Sequence, residues 1–116
     1  MLKKTNVSAT SQSTMAVGAT HKLKKSIINN PPVFASLEYA QAIGLVAGPS
    51  GSKTITFSNI TYVNEGAYIN LARFKVSDDG LTLTLNLTKR VTVTASGNTV
   101  ENSPSFAFGN VYIIDT

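Results

Sequence analysis

The sequence predicts an all-β fold, a small antiparallel β-sandwich or jelly-roll-like barrel with an extended N-terminal arm. Three observations predict it. Leu81, Leu83, Leu85 and Leu87 alternate with Thr82, Thr84, Asn86 and Thr88. A strand sends successive side chains to opposite faces, so this run carries one leucine face and one Thr/Asn face. A helix would scatter the same leucines around its circumference. Burying the four would contribute roughly 6–12 kcal/mol, at ~1.5–3 kcal/mol each. The second observation is that apolar segments recur at short spacing between turn compositions such as Glu65-Gly66, Ser77-Asp78-Asp79-Gly80 and Ser96-Gly97-Asn98. The third is that no long helical period interrupts them, a combination typical of antiparallel sandwiches and barrels.

The length of 116 residues suits one domain with a real core. Cysteine is absent, which excludes a disulfide framework and thiolate metal sites. Charged residues make up only 14%, below the usual quarter, and Ser, Thr and Asn take their place. The net charge of +4 is uneven, because Lys3, Lys4, Lys22, Lys24 and Lys25 all precede Ser26 with no acidic residue among them. Positive charge therefore belongs to the N-terminal segment, read as an arm over residues 1–30 with little structure of its own. No apolar run reaches the 18 residues of a membrane-spanning helix, and the polar stretch Thr5–Thr14 is unlike a secretory signal.

Asn29-Asn30-Pro31-Pro32 opens the expected β-body, residues 31–116. Val33, Ala35, Leu37 and Tyr39 alternate with Ser36 and Glu38, as in a strand. Ala40–Val46 fits a short helix or a second strand, and Gly48-Pro49-Ser50-Gly51-Ser52 reads as a loop. Ile55 and Phe57 share one parity and Ile60 and Tyr62 the other, so a bulge is expected near Ser58-Asn59. Ala67–Val76 is a strand with Phe74 and Val76 inward, followed by a turn in which Gly80 takes positive φ. After the leucine run, Lys89-Arg90 is positioned to protect a sheet edge. Phe106–Ile114 is the last strand, and Val111-Tyr112-Ile113-Ile114 is apolar on both faces.

Few residues suggest chemistry. Gly48–Thr54 is P-loop-like, but Ser52 separates Gly51 from Lys53 and a strand follows where phosphate binding needs a helix. The threonines 82, 84, 92 and 94 are explained by β-propensity. Asp78 and Asp79 are explained by their turn, without the ligand spacing of a calcium loop. His21 is the only histidine and anchors no catalytic constellation. No enzyme activity, cofactor or metal is expected.

Val33–Leu37, Ile55-Thr56-Phe57 with Asn64–Tyr68, and Phe74-Lys75-Val76 with Gly80-Leu81 resemble the opening half of TNF-like jelly rolls, including complement-type globular heads. Phe106–Tyr112 is similar to the closing strand of that family, although fewer residues lie between the two regions than the family carries. The resemblance implies a trimer packed around an aromatic-lined axis, binding surfaces on loops and no catalytic site.

These readings lead to a non-enzymatic structural assembly protein, expected in a bacteriophage virion as a head-decoration, minor capsid or fibre-base protein. Lys3, Lys4, Lys22, Lys24 and Lys25 would dock the arm on other shell proteins, or on nucleic acid, and no membrane partner is expected. Phe106, Phe108, Tyr112 and Ile114 would form the interface of a homo-oligomer, a trimer in particular. The first alternative is a carbohydrate- or receptor-binding module using Tyr62, Tyr68 and Phe106. The second is a nucleic-acid-binding coat protein, for which only Arg73-Phe74-Lys75 interleaves basic and aromatic residues.

Overall fold

The computed structural model describes residues 3–11, 13–28, 32–47 and 53–115. They form β1 (Lys3–Asn6), β2 (Ser13–Met15), β3 (Thr20–Lys22), β4 (Val33–Leu37), β5 (Ala40–Ala47), β6 (Thr54–Val63), β7 (Gly66–Val76), β8 (Thr82–Thr94), β9 (Gly97–Asn102) and β10 (Phe106–Asp115). The fold is all-β, and among the described residues there is no helix. Every strand pairing is antiparallel, in the order β1-β10-β4-β5-β6-β7-β8-β3, with β2 also on β10 and β9 also on β8.

The two ends of this order meet. Ser8, just after β1, bridges Leu23, just after β3. Ala9 N–H donates to the Lys22 carbonyl at 2.9 Å and Lys24 N–H to the Val7 carbonyl at 2.8 Å. The sheet thus curls over one core as a flattened barrel. Rings from opposite walls touch inside it: Phe108 of β10 lies 4.7 Å from Phe74 of β7 and 5.5 Å from Phe57 of β6, centroid to centroid. At roughly 3.4 Å per residue, the 13 residues of β8 span about 44 Å, which matches the long axis of the molecule, 44 Å.

The expected arm is extended, but it is not separate from the body. β1 and β2 pair with β10 and β3 pairs with β8, and Val7, Met15, Leu23 and Ile27 are buried in the common core. Its polar composition conceals this because each short strand buries at most one residue. Gly80 marks the contact. Its φ of 74° supplies the turn before β8, and a Cβ there would collide with the Ser26 hydroxyl.

Ala40–Val46 is strand, within β5. The Gly48–Ser52 loop lies outside the described residues. Leu83 and Leu85 are buried as the alternation requires, but the leucine face is shorter than expected. A register shift between Arg73 and Phe74 leaves Asn86 as an extra residue, turns Leu87 outward and brings Thr88 in. There Thr88 Oγ1 donates to the Pro104 carbonyl at 2.7 Å, which satisfies its burial. No bulge occurs at Ser58-Asn59: β6 stays in register with β7 from Thr54 to Val63. Ile60 and Tyr62 change parity because the strand outruns the aromatic core and presents them to solvent. Lys89 and Arg90 guard no edge, since β7 and β9 flank them.

Candidate functional site

β4 and β5 are joined by only two residues, Glu38 and Tyr39, with Leu37 paired to Ala40. Their φ angles are 49° and 63°. A two-residue hairpin turn of this hand favours Asn-Gly, and bulky residues at positive φ are strained. The strain is held by bracing from the inner face. Asn59 Nδ2 donates to the Leu37 carbonyl at 2.7 Å and to the Ala40 carbonyl at 3.3 Å, gripping both sides of the turn. Glu38 N–H donates to the Ala107 carbonyl, and Glu38 Oε1 accepts from Arg90 Nη2 at 2.6 Å. Arg90 Nε donates to Asn70 Oδ1 at 3.0 Å, and Asn70 Nδ2 to Asn59 Oδ1 at 2.9 Å, which closes the network. The guanidinium also lies over the rings of Tyr68 and Phe106, 5.2 Å from each centroid. Asn59, Asn70 and Arg90 occupy inward positions beyond the phenylalanine core, so their side chains replace apolar packing with a satisfied polar network.

The turn projects Tyr39, 78% exposed, at the end of a groove on the opposite face. That groove is lined by Lys4, Phe34, Ser36, Tyr39, Gln41 and Tyr112, with a cavity volume of about 180 Å³. Lys4 comes from β1 and Tyr112 from β10, and the Lys4 ammonium sits 4.5 Å from the Tyr112 ring centroid.

A second surface continues across the outer face. Ile60, Ile69, Val91 and Val100 lie in one register row across β6, β7, β8 and β9. The next row is Tyr62, Ala67, Val93 and Asn98, so two adjacent rows hold no charged side chain. Ile43 and Leu45 extend the apolar surface on β5. Ile60, Leu45 and Val100 are each more than half exposed, at 54%, 57% and 53%.

The residues expected to form the oligomer interface do not share a surface. Phe106 and Phe108 are buried in their own chain's core. A register shift between Phe108 and Val111 in β10 keeps Val111 and Ile113 inward and leaves Tyr112 and Ile114 half-buried on the outer side. β10 is also not an edge, because β1 and β2 pair along one side and β4 along the other. Lys3, Lys4, Lys22, Lys24 and Lys25 are all exposed, but they project from strands and turns of the barrel rather than from a free arm. Of the aromatic candidates, Tyr62 is exposed, Tyr68 is half-buried beneath Arg90 and Phe106 is buried. In Arg73-Phe74-Lys75 the ring points into the core, so no basic and aromatic surface forms there. Asp79 Oδ1 accepts from Ser77 Oγ at 2.6 Å and from Leu81 N–H at 3.0 Å, as its turn role requires.

His21 is a core residue. Its ring packs edge-on against Phe108, and its Nε2 lies 2.8 Å from Ser8 Oγ, which accepts the Val111 N–H. Every proton is used when Ser8 Oγ–H donates to Nε2 and Nδ1–H donates to Thr10 Oγ1, 3.4 Å away. Neither Ser8 nor His21 lines the groove beneath Tyr39. Burial lowers the His21 pKa below its ordinary value of 6.5. The folded chain therefore binds this proton less readily than the unfolded chain does. The stabilisation is complete above about pH 6.5 and is lost as the pH falls from there towards the lowered folded value. Urea titrations from pH 8 to pH 5 should show this loss, and His21→Gln should remove most of the pH dependence in that window.

Comparison with protein-family models, with curated proteins and with solved structures returns no match.

Proposed function

We propose that this chain is a non-enzymatic structural assembly domain that associates with further copies of itself through the outer face of β5, β6, β7, β8 and β9. The observation that carries the reading is the pair of uncharged rows across β6–β9, with Ile60 and Val100 more than half exposed. Contiguous apolar surface on a sheet is favourable to bury, and sheets pack face to face at ~10 Å. A flat apolar patch without charge is satisfied by an identical patch, the relation that symmetric oligomers use. This surface takes over the interface role that the sequence suggested for β10. The resemblance to TNF-like trimers makes three copies the expected number.

The proposed setting is a bacteriophage virion, in a head-decoration, minor capsid or fibre-base position. A cysteine-free chain with few charged residues and a Ser/Thr/Asn-rich surface supports close packing against neighbours. In that setting the exposed lysines would meet other shell proteins directly from the barrel. Light scattering at micromolar concentration should give a homo-oligomer. Ile60→Asp should dissociate it to folded monomers, whereas Ile114→Asp should leave it assembled. A monomeric wild-type protein, or an oligomer indifferent to Ile60→Asp, would contradict this reading.

A further inference from the structure

We infer that the groove beneath Tyr39 is a binding site for a carboxylate-bearing sugar residue. Its chemistry is mixed in a way that pure packing does not require. Phe34, Tyr39 and Tyr112 offer ring surface, Ser36 and Gln41 offer hydroxyl and amide groups, and among the described residues Lys4 is the only charged side chain in the lining. Aromatic faces pack against the C–H face of a sugar ring while polar neighbours fix its orientation. A Gln side chain both donates and accepts, as vicinal hydroxyls demand. The Lys4 ammonium, held over Tyr112, supplies one positive charge at the rim, which selects a carboxylate over a neutral ring. The cavity of about 180 Å³ is below the ~300–1,000 Å³ of sites for drug-sized ligands, so one ring with its substituent fills it.

The turn gives an independent reason. Backbone strain persists where the surroundings enforce it, and such positions cluster at ligand clamps. Here the Glu38–Arg90–Asn70–Asn59 network enforces two positive φ angles, and the result is an accessible tyrosine ring at the groove mouth. Asn-Gly would make the same turn without strain, and the bracing that holds the turn here also fixes where the Tyr39 ring leaves it.

Amide chemical shifts followed by NMR, with the full chain, test the site. The probes are glucuronic acid and N-acetylneuraminic acid, with glucose and adenosine monophosphate as controls. Saturable shifts centred on Ser36, Tyr39 and Gln41 are expected with the acidic sugars, and glucose should bind more weakly. Tyr39→Asn should weaken binding about tenfold, the upper end of what one aromatic contact contributes. Asparagine tolerates positive φ, so this variant should keep or raise the melting temperature, and lost binding will not reflect unfolding. Lys4→Gln should erase the preference for acid over neutral sugar. Absence of saturable shifts would overturn the inference, as would tighter binding of the nucleotide or unchanged affinity in Tyr39→Asn. The oligomeric state, measured in parallel, should be the same in both variants, which separates this site from the assembly face.

Discussion

A chain lacking residues 1–27 is expected not to fold. The deletion removes Val7, Met15, Leu23 and Ile27, all at most 6% exposed, from the shared core. At ~1.5–3 kcal/mol per buried side chain their loss amounts to roughly 6–12 kcal/mol. Total stabilities of small domains are about 5–15 kcal/mol, so the loss is of the same size as the whole. The deletion also strips β1 and β2 from one edge of β10 and β3 from the edge of β8. Two rows of backbone donors and acceptors would then lose their partners. Circular dichroism and amide NMR dispersion of the truncated chain should show loss of the cooperative fold. The sequence alone suggested the reverse, a β-body indifferent to its arm. A truncated chain that unfolds cooperatively near the wild-type midpoint would restore that view.

The second large effect is expected at Phe108. Its ring touches Phe57, Phe74 and His21 from three other strands, so it joins the opposite walls of the barrel. Phe108→Ala should cost about 3–5 kcal/mol, the usual range for removing a buried aromatic side chain. The upper part of that range is expected, because neighbours held in paired strands collapse poorly into the space. Tyr62→Ala, at an 83% exposed position, should change stability by less than about 0.5 kcal/mol. Denaturant midpoints of the two variants provide the measurement. Comparable shifts would mean that the β10 wall does not close the core.

Most strands from Val33 onward were legible because their signals are local, but the Glu38-Tyr39 turn was hidden in an alternating run and β9 was not expected as a strand. Alternation in Leu81–Leu85, the Glu65-Gly66 turn and positive φ at Gly80 follow from neighbouring residues and the geometry of single strands. Which face those strands bury was legible only where the run stayed unbroken. The bulge at Asn86 transferred Leu87 to the outer surface, and it arises from pairing with β7, not from anything in the leucine run.

The candidate sites were barely legible. Tyr39 looked like one more alternating strand residue, and Arg90 like a surface charge. The groove needs Lys4 from the first strand and Tyr112 from the last, which meet because β1 pairs with β10. Ile60 and Tyr62 looked like core residues with a parity error, yet they are the exposed apolar surface on which the assembly proposal rests.

By itself the sequence determined the all-β class, the turns at Glu65-Gly66 and Ser77–Gly80 and the absence of thiol chemistry, because each depends on residue type and short-range period. The tertiary structure decided that the N-terminal segment completes the barrel, that Phe106 and Phe108 face inward, and that a braced turn presents Tyr39. Those outcomes depend on which distant strands share hydrogen bonds. A strand of three or four polar residues carries too few side chains to announce its partner, so only the closed sheet reveals where its buried residues go.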